Sequence, residues 1–196
     1  HPGFVLRPRD QAQLATCLRF LSSEAIPFKV RAAGHSSGGQ VLLDGGAIVD
    51  VRDLARVVED RPDDQVLRID RTRRRPKIVT DNWRSTVGGT IAVGGFGDTS
   101  HLYGPQTDQV RRVVVMTLDG ERHEVGPGDE LFDYSLAGRG QLGVITEVEL
   151  ETLSRPWTMS GCLLKWDSVE AYVRASIRII EEERFEYFRC RTHWGK

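Results

Sequence analysis

Cysteine is scarce in this 196-residue chain, and the three cysteines, Cys17, Cys162 and Cys190, lie far apart. No Cys-x-x-Cys pair occurs. These absences argue against a disulfide framework and against a zinc site, so we expect no metal. They favour a reducing cytoplasmic compartment. Secretion stays open, because the chain begins at His1 and a signal segment can precede it.

A long apolar run is also missing, whereas a membrane span needs about 20 consecutive apolar residues. The net charge of -1 creates no attractive field for a polyanion. One basic run, at residues 71–77, has no aromatic residues within it and predicts a solvated surface loop. We therefore expect neither a nucleic acid nor a membrane as a partner.

The N-terminal half of the chain has the pattern of an α+β fold with one substantial core. Asp10 is a candidate N-cap, and apolar residues at three- and four-residue spacing predict a helix over residues 11–24. An apolar strand is predicted at residues 28–31. Further β-like runs are predicted at residues 41–43, 47–51, 56–59 and 66–69.

The C-terminal half continues the α+β pattern. The β-branched run at residues 110–118 is joined by the hairpin signal Asp119-Gly120 to a second run at residues 121–125. Alternation from Ile145 onward predicts a half-buried strand. The remaining predictions are helical turns at residues 130–134, a strand at 161–166 and an amphipathic helix at 169–183. We place a domain boundary near residues 152–157.

A turn of small residues around a single histidine follows the strand at residues 28–31. Glycines such as Gly34 permit positive φ and let backbone N–H groups approach a ligand closely. Ser36 and Gln40 add neutral donors, and His35 adds one reactive nitrogen. This pattern indicates a site for an anionic cofactor. An ordinary glycine-rich turn, with a histidine bonded to the backbone, explains this stretch equally well by itself.

A second glycine-rich stretch runs over residues 86–100. Its glycines make an isolated helix or strand unfavourable, because each ordered glycine loses more backbone entropy than other residues do. A backbone wrapped closely over a flat or phosphorylated ligand accounts for it. The stretch has no P-loop lysine and lacks the strand-to-helix setting of a Rossmann fingerprint, which disfavours both nucleotide folds.

A third segment, Gly138-Arg139-Gly140-Gln141-Leu142-Gly143-Val144-Ile145-Thr146, follows these two in order. With all three motifs, the chain resembles the PCMH-type FAD-linked oxidoreductases of the vanillyl-alcohol oxidase superfamily and is most similar to cytokinin dehydrogenases. The resemblance implies a PCMH-type FAD-binding domain of two small α+β subdomains over residues 1–154. Residues 155–196 would begin an α+β substrate, or cap, domain.

Near residues 70–77 the family usually carries a further strand, helix and loop that this chain lacks. Relative to the same family, the chain also ends early in the substrate domain. Either the protein is shortened, or the sequence joins pieces of a longer one.

The resemblance implies that Gly34, His35 and Ser36 surround the FAD pyrophosphate, with His35 bonded covalently to the isoalloxazine ring. A covalent histidyl bond raises the reduction potential of a flavin and prevents its loss. Gln40 matches the glutamine of the family's Gly-His-Ser motif. The other residues expected to contact FAD are Ala32, Ala33, Thr80, Asp81, Thr86, Gly88, Gly89, Thr90, Gly94, Gly95, Gly97, Thr99, Gly143 and Ile145.

The same resemblance makes Asp81 the candidate general base, since an aspartate at this place accepts a proton from the substrate amine in cytokinin dehydrogenases. A carboxylate beside the apolar face of a flavin would be suited to a base that works near neutral pH. From spacing alone, Asp81 is also typical of a turn or capping aspartate.

The implied activity is FAD-dependent oxidation of a C–N or C–O bond in a small organic substrate, with oxygen or a quinone as the electron acceptor. A sugar, alcohol or natural-product oxidase of the same superfamily is the first alternative. A truncated, non-catalytic flavin-binding module is the second.

Overall fold

A computed structural model describes residues 1–36, 38–54, 74–82, 84–154 and 160–190. The strands are β1 (Phe4–Leu6), β2 (Phe28–Arg31), β3 (Ala47–Asp50), β4 (Arg74–Pro76), β5 (Val110–Met116), β6 (Arg122–Val125), β7 (Val144–Leu150) and β8 (Thr152–Ser154). The helices are α1 (Gln11–Ser23), α2 (Val87–Ile91), α3 (Ser100–Tyr103), α4 (Glu130–Ser135) and α5 (Val169–Glu181). The predicted α+β class is confirmed. The strands predicted at residues 56–59 and 66–69 lie outside the described residues.

The N-terminal part is a parallel three-stranded sheet, in the order β1-β3-β2, covered by α1. Helix α1 begins where predicted, because the Asp10 carboxylate accepts a hydrogen bond from the Gln13 N–H at 2.8 Å. Its apolar face buries Leu14, Leu18 and Leu21. The central strand β3 is buried along its whole length, as a parallel strand packed on both faces should be.

The second sheet is antiparallel, in the order β6-β5-β7. The predicted hairpin at Asp119-Gly120 joins β5 to β6, and Gly120 adopts the positive φ of 77° that such a turn requires. Met116 and Val144, from this sheet, belong to the same buried cluster as α1. The two sheets therefore meet at α1, where Val144 at the start of β7 is buried.

A third, two-stranded sheet pairs β4 with β8 in antiparallel register. This finding corrects the expectation of a solvated basic loop at residues 71–77, because Arg74–Pro76 is a strand. The side chain of Arg75 is only 11% exposed and is paired with Glu186. Its guanidinium also lies 4.8 Å from the ring centroid of Tyr187, so packing against residues 186–187 replaces solvent around the charge.

Two predicted strands are wrong. Residues 41–43 lie in a turn closed by the Leu42 N–H on the Gly39 carbonyl, and Gly45 and Gly46 have positive φ. Residues 161–166 form no strand, because no described segment pairs with them, and Leu163 is 83% exposed. The helix after them is confirmed as α5, capped by Ser168 and slightly shorter than predicted.

No helix in the described ranges combines the length and apolar character needed to cross a bilayer.

Candidate cofactor site

The first glycine segment leaves the parallel sheet at the end of β2 and forms an exposed loop through Gly34, His35 and Ser36. Gly34 and Gly39 have φ of 74° and 73°, which is the conformation that favours glycine there. In the described part of the chain, the N–H groups of Gly34, His35 and Ser36 donate to no other residue. Free backbone donors in a glycine-containing turn fit an anionic group such as a pyrophosphate.

A buried carboxylate, Asp50, ends β3 beside the strand from which the loop leaves. Arg31 and Asp50 are register partners, and the Val51 N–H donates to the Arg31 carbonyl at 2.9 Å. The Asp50 side chain is paired with Arg52 at 2.6 Å and with Arg7 at 3.3 Å. Hydrogen bonding to Arg52 outweighs burial and lowers the pKa of Asp50 to about 2. Sequence reasoning did not single out Asp50, because its partners are not at a recognisable motif spacing.

The second glycine segment forms α2, contrary to the expectation that this stretch would be non-helical. The Thr86 hydroxyl caps the helix by accepting from the Gly89 N–H at 3.3 Å. Ile91 is fully buried in the second core and anchors the other end. A cap and one buried anchor thus compensate for the low helix propensity of two glycines.

Helix α2 contacts both other motif segments through its glycines. A Cβ added at Gly89 would lie 3.7 Å from the Cβ of Ala32, at the base of the first loop. A Cβ added at Gly88 would lie 3.1 Å from the Ile145 carbonyl oxygen and 3.6 Å from the Ile145 Cγ2 atom. The three motifs, distant in sequence, therefore converge on one short helix. Because the glycines lack side chains, the backbones approach closely there.

Gly94, Gly95 and Thr99 form hydrogen bonds with other residues of the chain. The Gly95 carbonyl accepts from the Gln106 N–H at 2.7 Å, and the Gly94 carbonyl accepts from Thr107. The Thr99 side chain is 2% exposed, and its hydroxyl donates to the Lys77 carbonyl at 2.6 Å. These contacts account for the three residues by chain packing, and their expected role in lining FAD stays a prediction.

Gln106 is a buried polar residue that sequence reasoning missed. Its side-chain oxygen accepts from the Thr90 hydroxyl at 2.5 Å, and its side-chain nitrogen donates to the Ile78 carbonyl at 3.4 Å. It thereby connects α2 to the segment that carries Thr80 and Asp81. Nothing in the local sequence distinguishes it from an exposed glutamine.

Thr80 and Gly97 form an isolated antiparallel bridge. Because the bridge is antiparallel, Asp81 and Asp98 lie at diagonal positions on opposite sides of it. The Asp81 carboxylate is 61% exposed and is paired with Arg189 at 2.6 Å. Its setting therefore differs from the apolar one that sequence analysis expected. Arg189 was also missed, because it lies 91 residues from its second partner, Asp98, and no local pattern connects them.

The predicted site residues thus lie in several parts of the fold. Ala32 lies beside Gly89 and Ile145 lies beside Gly88 on α2. Gly97 and Thr99 pack on the segment of residues 77–80 that leads to Asp81, and Gly95 packs on Gln106. Ala33, His35, Ser36 and Gln40 lie in the first loop, and Gly143 precedes β7. Within the described ranges, no group of His, Cys, Asp and Glu is arranged to hold a metal ion.

Comparison with known proteins identifies the family of the chain. Residues 2–71 match the protein family described as FAD binding domain. An uncharacterized oxidoreductase, ORF5 in the fasciation locus of Rhodococcoides fascians, is 30% identical over 203 residues, covering 97% of this chain and 46% of that protein. Cytokinin dehydrogenase 7 of Oryza sativa subsp. japonica is 31% identical over 206 residues, covering 94% of this chain and 39% of that protein.

The chain belongs to the PCMH-type FAD-binding superfamily. It spans less than half the length of these relatives. The crystal structure of 6-hydroxy-D-nicotine oxidase from Arthrobacter nicotinovorans has the same fold, with a TM-score of 0.66 and 19% identity over 76% of this chain and 36% of that one. The predicted family and fold are therefore confirmed, and FAD is supported as the cofactor. The covalent bond at His35 and the individual residue roles stay predictions.

Proposed function

We propose that this chain is the cofactor-binding part of a FAD-dependent oxidoreductase that oxidises a C–N or C–O bond of a small organic molecule. The observation that carries the proposal is the convergence of Ala32, Gly88, Gly89 and Ile145 around α2, next to a loop with free N–H donors. Similarity to cytokinin dehydrogenases favours an amine of the cytokinin type as substrate. Oxygen or a quinone would then accept the electrons.

Each part of the site has a distinct task in this proposal. The N–H groups of Gly34, His35 and Ser36 would bind the pyrophosphate, and the exposed imidazole of His35 would form the covalent bond to the flavin. Gly88 and Gly89 leave no side chain between α2 and its neighbours, which favours a close-packed wall behind the cofactor.

The bound flavin supplies a two-electron acceptor. The substrate would lose a hydride from its carbon to that acceptor, while the proton on its nitrogen or oxygen passes to the Asp81 carboxylate. The carbon is oxidised, a C=N or C=O bond forms, and the two electrons leave with the hydride. Asp81 is suited to this role because its carboxylate is exposed, so a substrate can reach it.

The covalent bond is tested by denaturing the purified protein in acid and asking whether yellow colour and the mass of FAD stay with the polypeptide. We expect retention in the wild type and release in His35→Ala. His123→Ala is the matched control, because His123 is exposed on β6, outside the proposed site. Release from the wild type, or equal retention in His35→Ala, would exclude the covalent bond at His35.

The reaction is tested by anaerobic reduction of the bound flavin with isopentenyladenine, and in parallel with a primary alcohol and an aldose. We expect Asp81→Asn to slow reduction by the preferred substrate about a hundredfold or more. Asp133→Asn serves as control, since Asp133 is an exposed carboxylate on α4. Equal rates in Asp81→Asn and wild type would remove Asp81 as the base, and no reduction by any of the three would favour a non-catalytic module.

A further inference from the structure

The guanidinium of Arg189 joins two carboxylates that come from separate parts of the chain. Its Nε and Nη2 atoms donate to both oxygens of Asp98, at 2.9 and 2.5 Å. Its Nη1 atom lies 2.6 Å from the Oδ1 atom of Asp81. Both carboxylates act on Arg189, and hydrogen bonding to Asp98 is the main cause of the raised pKa of Arg189.

Asp98 is well placed to hold the guanidinium still. A carboxylate that receives two parallel N–H bonds fixes both the position and the plane of an arginine fork. The backbone of Asp98 also binds the segment that carries Arg189, because the Phe188 N–H donates to the Asp98 carbonyl at 2.8 Å. Asp98 thus binds Arg189 and the residue before it.

The rest of this short segment is also fixed to the cofactor-binding domain. The Nε2 atom of His101 lies 3.0 Å from the Phe185 carbonyl oxygen. The rings of His101 and Phe188 meet edge to face, with centroids 6.0 Å apart. Glu186 is paired with Arg75 on β4. Arg189 is therefore presented to Asp81 by a backbone with several independent attachments.

Asp81 receives this contact on one oxygen only. Its side chain is 61% exposed and would otherwise rotate freely in solvent. Among the described residues, nothing but Arg189 is paired with the Asp81 carboxylate, and the contact is to Oδ1. One oxygen is thus held by a cation, while Oδ2 stays available for a proton.

We propose that Arg189 is a positioning residue, which acts through the Asp81 carboxylate by holding Oδ1 so that Oδ2 faces the substrate. The inference rests on the proposed function, in which Asp81 accepts the substrate proton. Arg189 itself touches neither the substrate nor the cofactor in this role. Asp98 contributes by fixing the guanidinium.

The experiment compares Arg189→Met, Asp81→Asn and the double variant by anaerobic flavin reduction with isopentenyladenine. Arg189→Met should lower the limiting rate about tenfold or more, because a small misplacement of a reacting group is costly. The half-saturating concentration should change much less, as expected when substrate binding is retained. In the Asp81→Asn background, Arg189→Met should have no further effect. Arg178→Met is the control, since Arg178 is paired with exposed Glu182 on α5.

The outcomes separate the inference from the proposed function. Equal rates in wild type and Asp81→Asn would overturn the proposed base and, with it, the role of Arg189. A slow Asp81→Asn together with a fast Arg189→Met would overturn only the positioning role. An equal loss from Arg189→Met in both backgrounds would likewise overturn it, because Arg189 would then act elsewhere.

A second measurement needs no substrate and no flavin. Denaturant unfolding of the flavin-free wild type, the two single variants and the double variant forms a double-mutant cycle for the Asp81–Arg189 contact. We expect the unfolding equilibrium constants to deviate from additivity by about two- to fivefold, as for a partly exposed ion pair. Additive effects would overturn the contact on which the inference depends.

Discussion

An added Cβ at Gly97 would overlap the carbonyl oxygen of Val79, on the backbone that bridges to it. Val79 precedes Thr80 and Asp81, so this close approach sets the position of the candidate base. The φ of Gly97 lies outside the left-handed region, and the reason for glycine is therefore space rather than conformation. Gly97 has a structural role that needs no cofactor.

Gly97→Ala should destabilise the flavin-free protein by about 2 kcal/mol, because the backbone must move to admit one methyl group. Denaturant unfolding measures the loss. Gly161→Ala is the matched control, since a Cβ there would meet nothing within 4 Å, and we expect its effect to stay within about 0.5 kcal/mol. Equal stability of the two variants would show that the backbones at residues 79 and 97 can move apart with little loss of unfolding free energy.

Thr86→Ala should weaken α2 by about 1 kcal/mol, because the Gly89 N–H loses its side-chain acceptor. Since Gly89 lies against Ala32, flavin retention should fall together with stability. Thr86→Ser keeps the hydroxyl and should behave nearly as the wild type does in unfolding and in flavin titration. A loss in Thr86→Ser equal to that in Thr86→Ala would contradict the capping role.

Thr99→Val should cost about 1 to 2 kcal/mol of unfolding free energy, because it removes a buried donor and leaves the Lys77 carbonyl without it. Thr99→Ser retains the donor and should recover part of the loss. The control is Thr16→Val on α1, where the hydroxyl bonds to the Ala12 carbonyl on an exposed surface. If Thr99→Val were as stable as this control, the Lys77 carbonyl must find another donor.

Asp50 should make stability depend on acid pH. Its folded-state pKa of about 2 lies below the unfolded value of about 3.9, so the ionised group stabilises the fold above about pH 4. That contribution is lost as the pH falls toward 2. Asp50→Asn should lower stability at pH 7 by about 2 kcal/mol and flatten the curve between those values.

Thermal or denaturant unfolding from pH 2 to pH 7 measures the dependence on Asp50. Asp133→Asn, an exposed substitution on α4, should leave the curve unchanged. The same slope in wild type and Asp50→Asn would assign the acid sensitivity to other carboxylates.

The elements that were predicted correctly carry their own local signals. Helix α1 has Asp10 as a cap and a regular apolar face, and the β5–β6 hairpin has Asp119-Gly120 at its turn. The three motif segments were also recognised, although their mutual contact around α2 was not derivable from spacing. That contact depends on how two sheets pack against α1, which is tertiary information.

Three of the failures share a physical cause. Helix α2 was missed because glycine propensity argued against it, whereas Thr86 and buried Ile91 supply the stabilisation. The strand β4 was missed because its partner, β8, lies far along the chain. Arg189 was missed for the same reason. Local sequence reports local preference, whereas the burial of Ile91, the pairing of β4 and the contacts of Arg189 are decided by distant partners.

The pairing of β4 with β8 brings together the two ends of the segment between residues 77 and 151. The pairing of only three residues on each strand does not offset the entropy that is lost when so long a loop is closed. The small sheet should therefore assemble late in folding, after the second core has formed inside the loop. Arg75 on β4 also holds Glu186, so this one attachment of residues 185–190 should form late. The contacts of Asp98 and His101 with this segment do not involve β4, so they can hold Arg189 beside Asp81 before the small sheet closes.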